Sequence, residues 1–513
     1  MRRTLCHLAA IILLTGLVQG CGTSPKQATP NPGIAAVASA ADKAATDFAA
    51  LAAPARQSGE PPRESDPAVK QLLDTVVDTR VLYRERTTLA DLQALIQWGR
   101  AISNVSTDYL LAGTGITGTA EPGQIERSPT LTARSNENVS HFAPELGRTL
   151  DAQIIIDRVM AGALMAARQS NPAAFQKPEA QQYLASVQHA TYEQFRSALI
   201  TLASPALSDD WRRARLLALA EYGPTAARMM LPEDGGSVRQ TTIDVAQCQT
   251  DQQVRTELLS LAKSFADYSV DEAPAIRAAH SRLVQASCAA HGAAAQFWRM
   301  TRATGARPPH QSDPSVTALL DAILNTGVVE GDVPRYEDLA PLGDWGDAVA
   351  QVNIIYLSAG FDRDTRNALE KTMPDDQLLA KVGQNTVQYS AELGRSLDAQ
   401  LHLMKATAEV FAARLADDPQ KFTPSQRAAF ETYRFRYAKS VLLLLKISLY
   451  PGQGDAWRQA RLTSVEAALR RASAILKADD ATTLHSFMVE ATKTEKNPQL
   501  RARLTRLAGS IAL

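Results

Sequence analysis

The feature that most constrains the fold of this chain is an internal duplication, in which a second copy follows the first by 247 positions. The strongest block runs from Glu145 to Gln153 and recurs from Glu392 to Gln400 with a single Thr-to-Ser exchange. Flanking matches are Trp98–Gly99 with Trp345–Gly346, Tyr109 with Tyr356, and Trp211 with Trp457, the last at a displacement of 246. A repeat of this length indicates a doubled domain and not a solenoid of short units. We therefore expect copy one at residues 34–270 and copy two at residues 279–513.

Both copies show the periodicity of helices. The stretch Asp376–Asp417 lacks proline and carries apolar residues three or four positions apart, at Leu393, Leu397, Leu401, Met404, Ala408 and Phe411. Ser208 is a typical N-cap residue before the run Trp211–Tyr222, and Gly223 is expected to end that helix. Thr423 starts a further capping box. The sequence therefore predicts an all-α fold of two tandem helical bundles, with about six or seven helices in each.

Composition and charge exclude some partners. The chain has 513 residues, of which 45% are hydrophobic and 21% are charged, as in ordinary globular proteins. Its 54 basic and 54 acidic side chains leave no strong positive field, so we expect no nucleic-acid partner. The most apolar run in the body, Val441–Leu445, is followed by Lys446, which predicts a buried helix and not a membrane span.

The first residues of the chain have the order of a bacterial export signal. Arg2 and Arg3 precede an apolar stretch, His7–Val18, and a small residue stands directly before the cysteine in Leu17–Cys21. About 12 apolar residues are too few to cross a hydrocarbon core that requires about 20. This order closely resembles the lipobox of bacterial lipoproteins, with an ordinary secretory signal as the alternative.

The resemblance implies an address in the bacterial cell envelope. Residues 1–20 would be a signal peptide, and Cys21 would become the acylated N-terminus that holds the protein on a lipid bilayer. Gly22, in place of an acidic residue, implies export to the outer membrane, with the body facing the periplasm. Residues 21–33 are polar and rich in proline, which predicts a flexible tether.

Two cysteines remain in the body, Cys248 and Cys288. In an oxidising compartment they suggest one disulfide. Two free buried thiols are the first alternative. A metal site is the second, because Cys288 and His291 share a helical face and His280 lies nearby in the sequence.

A glycine-rich segment has the letters of a dinucleotide-binding fingerprint, at Gly113, Gly115 and Gly118. That mechanism requires a strand before the glycines and a helix after them, whereas here a helix precedes them. The preferred interpretation is a helix C-terminus with Gly113 in the left-handed conformation, and no cofactor is expected. The copies diverge over Gly113–Asn136, so this loop is the candidate contact surface of copy one.

The best polar constellation is the repeated Glu-x-x-Arg-x-x-Asp pattern. It comprises Glu145, Arg148 and Asp151 in copy one and Glu392, Arg395 and Asp398 in copy two. A spacing of three places each arginine beside both of its acids on one helix. One interpretation is a paired-carboxylate site, but six residues rotate the two acids about 240° apart. We therefore predict a structural ion-pair cluster at a helix crossing, with no catalytic residue and no metal.

Three classes of function remain open from the sequence. The first is a non-catalytic helical protein that binds or assembles another envelope macromolecule. The second is a binding module for a small or apolar ligand in a pocket between helices. The third is an enzyme with an unrecognised site, which the absence of GxSxG and HExxH motifs disfavours. An exposed apolar patch would favour the first class, a cavity the second, and a cleft with shifted acids the third.

Overall fold

A computed structural model describes most of the chain, and its described part is helical with no strand. The all-α prediction is therefore confirmed. The described residues are 29–54, 60–113, 129–204, 207–265, 274–303, 307–329, 335–361, 376–417, 422, 424–450, 452–472 and 475–511. The chain divides into two compact units, with the boundary between Asp271 and Glu272.

The first unit holds the elements of copy one. Its helices are α1 (Pro32–Ala52), α2 (Pro67–Val77), α3 (Val81–Arg84), α4 (Leu92–Leu110), α5 (Pro129–His141), α6 (Ala143–Ser170), α7 (Pro178–Leu202), α8 (Asp209–Met229), α9 (Pro232–Gln247) and α10 (Gln252–Ala262). Helix α4 packs on α1 and α6, α6 packs on α8, and α9 packs on α7 and α10.

The second unit repeats most of this order. Its helices are α11 (Pro274–Ala303), α12 (Pro314–Leu324), α13 (Leu339–Leu357), α14 (Asp376–Gln388), α15 (Ser390–Asp417), α16 (Pro424–Ser448), α17 (Asp455–Ala472), α18 (Ala478–Thr494) and α19 (Pro498–Ser510). Helix α13 packs on α11 and α15, and α15 packs on α17. Val441 and Leu445 on α16 are fully buried, as the sequence predicted. Among the described residues, no helix is long and apolar enough to cross a membrane.

Local sequence explains where the helices begin. Asp66 and Asp313 cap α2 and α12 by accepting a hydrogen bond from the second residue beyond, and each precedes a proline at the first helical position. Ser208 caps α8 through the Trp211 backbone N–H, as predicted. Asn31 caps α1 in the same way, so the helix begins at Pro32, inside the segment that we expected to be tether.

Some helix ends differ from the expectation. Helix α8 does not end at Gly223 but continues through Pro224 to Met229. Gly223 instead permits close packing, since a Cβ there would lie 2.9 Å from Leu261 Cδ1 on α10. The stretch Asp376–Asp417 is two helices interrupted at Tyr389. The described part of the first unit has ten α-helices and that of the second has nine, more than the six or seven expected for each.

The same tertiary contacts recur in both units at the displacement of the sequence repeat. Trp98 Nε1 donates to Val76 O, and Trp345 Nε1 donates to Ile323 O, both at 2.7 Å. The hydroxyls of Tyr109 and Tyr356 donate to Pro62 O and Pro309 O. Because these rings are fully buried, each contact ties a helix to a segment before it in the chain.

Candidate functional site

The repeated acids at the start of α6 and α15 anchor a preceding segment. Glu145 and Glu392 are 1% and 3% exposed. Glu145 Oε1 accepts from the Glu64 backbone N–H at 3.3 Å and pairs with Arg63 Nε at 3.1 Å. Glu392 Oε1 accepts from the Gln311 N–H at 2.8 Å. Neither acid pairs with the arginine three residues later, because each is aimed at the backbone before α2 or α12.

The repeated arginines reach away from their own helix. Arg148 Nη1 donates to Glu64 Oε2 at 3.1 Å, and its Nη2 pairs with Asp74 on α2. Arg395 makes the same two contacts, with Gln311 and with Asp321 on α12. The expected pairing of each arginine with the acids at three residues' distance was wrong. Each long arginine side chain extends to a neighbouring helix instead of folding back along its own helix.

The third member of the pattern ties α6 to α8 and α15 to α17. Asp151 Oδ2 accepts from Arg215 Nη2 at 2.6 Å. Burial raises the pKa of Asp151 to about 6, against the lowering effect of Arg215. Asp398 pairs with Arg461 in the same way, and its second oxygen accepts from Ser464 Oγ at 2.7 Å. The pattern therefore forms three separate links between elements in each unit, and not one cluster.

A glycine makes room for this link. A Cβ on Gly147 would lie 2.6 Å from Arg215 Nη2, and Gly394 is equally close to Arg461. Arg215 also lies over the Trp211 ring at 4.8 Å and donates to Gly147 O at 3.3 Å. The indole N–H of Trp211 donates to Ala143 O at 2.7 Å, so the ring is fixed too. We refer to Gly147, Asp151, Trp211 and Arg215 as the α6–α8 clamp.

The other predicted site residues lie elsewhere. Cys248 caps the C-terminus of α9 and Cys288 lies within α11, and both are disulfide-bonded. Their pairing with each other stays a prediction. His280, proposed as a metal ligand, has its Nδ1 2.5 Å from Asp338 Oδ1. In the part of the chain that is described, no group of three or more His, Cys, Asp or Glu could hold a metal ion.

Gly113 ends the turn after α4 with a φ of 68°, and Gly360 after α13 has a φ of 74°, as a left-handed helix end requires. Asn138 on α5 donates to the carbonyls of Leu110 and Ala112 there, both at 2.9 Å. Gly115, Gly118 and Cys21, the expected acylation site, lie outside the described residues. The expected contact loop is shorter than Gly113–Asn136, because α5 begins at Pro129.

The first unit contains a cavity between α4, α6, α7 and α8, which the repeat pattern did not predict. Its volume is about 100 Å³, and most of the lining is apolar, with Leu146, Ile154, Phe195, Ala198 and Leu219 among the wall residues. Trp211 of the clamp is part of the wall. The cavity is partly open to solvent, and α5 contributes Val139 to its wall, so the clamp fixes two of the five helices that line it.

A buried carboxyl lies in this apolar wall. Asp157, in the middle of α6, is 7% exposed. Its Oδ1 accepts from Gln153 Nε2 at 2.8 Å, and the Gln194 side chain on α7 also hydrogen-bonds to it. Burial raises the pKa of Asp157 to about 7, and the two amides oppose the shift. The carboxyl therefore changes charge near neutral pH.

A second polar group faces the same cavity. Tyr222 on α8 is 2% exposed, and the Thr191 side chain on α7 is the hydrogen-bonding group beside its hydroxyl. Burial, followed by the charge of Asp157, raises the pKa of this hydroxyl, which therefore stays protonated. A phenol hydroxyl both donates and accepts, so it has capacity for a further hydrogen bond to a ligand.

The cavity's polar groups do not recur in the second unit. At the displacement of 247, Met404 occupies the position of Asp157. At the displacement of 246, which relates α7 and α8 to α16 and α17, Ser440 and Ala468 stand for Gln194 and Tyr222. A carboxylate at a position that is apolar in the other copy was the one signal of this site in the sequence.

Comparison with known proteins adds no relative: no family model, no curated protein and no solved structure matches the chain.

The clamp yields a first prediction. Gly147→Ala places a methyl group against a guanidinium that Asp151 holds in place, so we expect a loss of about 1–3 kcal/mol in the free energy of unfolding, measured with urea. Gly162→Ala is the matched control on the same helix, because nothing lies within 4 Å of its added Cβ. It should be neutral or stabilising by up to about 1 kcal/mol. Equal stability of the two variants would contradict the clamp.

The buried carboxyl yields a second prediction. Because folding raises the pKa of Asp157 from 3.8 to about 7, its contribution to stability is full below pH 4 and is lost as pH rises to 7. Asp157→Asn cannot ionise, so between pH 5 and 8 it should lose about 2 kcal/mol less stability than the wild type. Thermal unfolding across this range measures the difference, with the exposed Asp47→Asn as control. A wild-type pH slope in Asp157→Asn would count against the assignment.

Proposed function

We propose that this chain is a lipid-anchored protein of the bacterial envelope whose first helical unit binds a small ligand in the cavity between α4, α6, α7 and α8. The lipobox-like segment ending at Cys21 supports the anchor and the address. The short polar segment before α1 supports a tether that holds the body near the outer membrane, facing the periplasm.

The observation that carries the binding role is the cavity with its two buried polar groups. Protein cores are close-packed and contain few voids larger than a water molecule. Gln153 and Gln194 hydrogen-bond to the Asp157 carboxyl, but a carboxylate buried without a cation makes such a void less stable still. The charge of Asp157 would weaken the core of an inert scaffold, whereas a ligand that binds to the carboxylate offsets this cost.

The size of the cavity limits the ligand. A space of about 100 Å³ is somewhat smaller than the engineered cavity of about 150 Å³ that accepts benzene. We therefore assign the site to molecules with about five or six non-hydrogen atoms within the cavity. The apolar wall binds a hydrocarbon part, and the groups around Asp157 orient a polar end.

Binding of another envelope macromolecule is the second candidate, and it was the first expectation from the sequence. Leu217 on α8 is 67% exposed and Leu259 on α10 is 42% exposed, and these two helices pack on each other. Apolar residues exposed in this way support a protein contact. They carry less weight than the cavity, because scattered exposed leucines are common on protein surfaces.

Catalysis would use the same carboxyl, since a pKa near 7 suits a general acid or base. The binding role takes precedence for a physical reason. Gln153 and Gln194 hold the Asp157 carboxyl between them, and Tyr222 stays protonated. These contacts are suited to hold the polar end of a ligand in place, and less suited to transfer a proton to or from it.

The anchor is tested by Cys21→Ser. Without an acyl acceptor, the protein should move from the membrane fraction to the soluble envelope fraction after cell lysis, with its signal still cleaved. Cys248→Ser is a matched control, because it changes a cysteine of the body and should leave the protein on the membrane. Continued membrane association of Cys21→Ser would refute lipidation.

The cavity is tested with three probes that share a tert-butyl group: tert-butanol, tert-butylammonium of the same size, and the larger pivalate. At least one should bind the full chain saturably in ligand-observed NMR. Ala198→Leu fills the cavity from α7 and should weaken that binding at least tenfold. Ala185→Leu on the exposed side of α7 is the control and should bind as the wild type does. Binding of none of the three probes would refute the ligand site.

A further inference from the structure

We infer that the ligand of this cavity is a protonated primary amine, whose ammonium group is held at Asp157 while its short hydrocarbon part lies against the apolar wall. This inference rests on the proposed function, and it adds the charge and the hydrogen-bonding character of the ligand.

The hydroxyls that line the cavity present acceptors. Ser106 Oγ donates its proton to Ile102 O at 3.1 Å, Thr149 Oγ1 donates to Leu146 O at 3.1 Å, and Thr201 Oγ1 donates to Ser197 O at 3.0 Å. Each of the three protons is used on the hydroxyl's own helix. What remains toward a ligand is the oxygen lone pairs, which accept hydrogen bonds.

Most other potential donors in the wall are engaged too. Gln153 Nε2 donates to Asp157, Gln194 is hydrogen-bonded to the same carboxyl, and the Trp211 indole N–H donates to a backbone carbonyl. Ser103 Oγ donates to Gln153 Oε1 at 3.5 Å. Apart from the Tyr222 and Ser197 hydroxyls, the polar lining therefore presents mainly acceptors. A primary ammonium has three donors and no acceptor, so it is the complement of this lining.

The charge at the site favours a cation. The groups that act on Asp157 are its burial and the two neutral amides, with no cationic side chain among them. Its sequence neighbour Arg158 lies over the Tyr83 ring at 5.3 Å and pairs with Glu221. Arg215 is held by Asp151 in the clamp. A carboxylate buried without a cation is costly, and a cationic ligand supplies the missing charge.

The pH dependence follows from the groups that face Asp157. The titratable residues lining the cavity are Asp157 on α6 and Tyr222 on α8, while α4 and α7 contribute neutral hydroxyls and an amide. An alkylammonium with a lysine-like pKa of about 10.4 stays charged from pH 6 to 8. Its affinity should therefore follow the ionised fraction of Asp157 and rise about tenfold over this range. Binding at pH 7 should release a proton from the carboxyl.

The experiment compares tert-butylammonium with tert-butanol and pivalate on the full chain, by calorimetry or ligand-observed NMR at pH 6, 7 and 8. We expect tert-butylammonium to bind at least tenfold more tightly than tert-butanol at pH 8, and pivalate not to bind. Asp157→Asn should lower the affinity for tert-butylammonium at least tenfold and abolish its pH dependence. The affinity for tert-butanol should change less than threefold.

The outcomes separate this inference from the proposed function. If tert-butanol or pivalate binds at least as tightly as tert-butylammonium, the amine assignment is wrong and the ligand site stands. If none binds, both fail. The pH series on the wild type needs no variant, so it decides the matter even if Asp157→Asn does not fold. An affinity for tert-butylammonium that is flat or falls from pH 6 to 8 would overturn the role of the carboxylate.

Discussion

The guanidinium of Arg215 lies in space that any side chain at position 147 would occupy, and the arrangement of the first unit depends on this contact. Gly147 admits the group, Asp151 neutralises it, and the Trp211 ring covers it. These contacts hold α6 against α8 at one distance. Trp211 of the clamp and Phe195 of α7 both line the cavity, so the packing of α6 on α8 sets part of its wall. Buried ion pairs of this kind add little net stability compared with apolar packing, but removing one partner is costly.

Much of the fold could be predicted from the sequence, because the relevant signals are local. The Asp-Pro pairs that begin α2 and α12, and Ser208 before α8, are capping residues whose effect lies within three residues of the chain. Gly223 shows where this reasoning stops. A glycine after a run of helical residues usually marks a helix end, but here it permits the approach of Leu261 from another helix. Contacts between distant segments decide such cases, and one sequence does not contain them.

The same limit applies to the candidate site. The repeated acids and arginines were predicted to pair with one another at a helix crossing, but their partners lie elsewhere, since Arg148 pairs with Asp74 from a segment far away in the chain. Asp157 was not predicted, because it does not recur in copy two and the candidate residues were those that the copies share. The cavity depends on the distance between five helices, and no periodicity encodes that distance. The sequence signal for such a site is a charged residue on an apolar helix face of one copy, with an apolar residue at the matching position of the other copy.

The difference between the copies has a physical interpretation. The contacts that hold α6 on α8 recur between α15 and α17, with Asp398 and Arg461 in the roles of Asp151 and Arg215. What does not recur is the polar part of the cavity, where Met404 stands in place of Asp157. A carboxyl at this position weakens the core near neutral pH, and a methionine does not. The clamp contacts are present in both units, whereas the acid is present in one. This pattern is expected if both copies keep the same stable packing and a single copy has kept, or gained, a binding site. The free-energy cost of burying the carboxylate is then confined to the first unit, where a bound ligand would offset it.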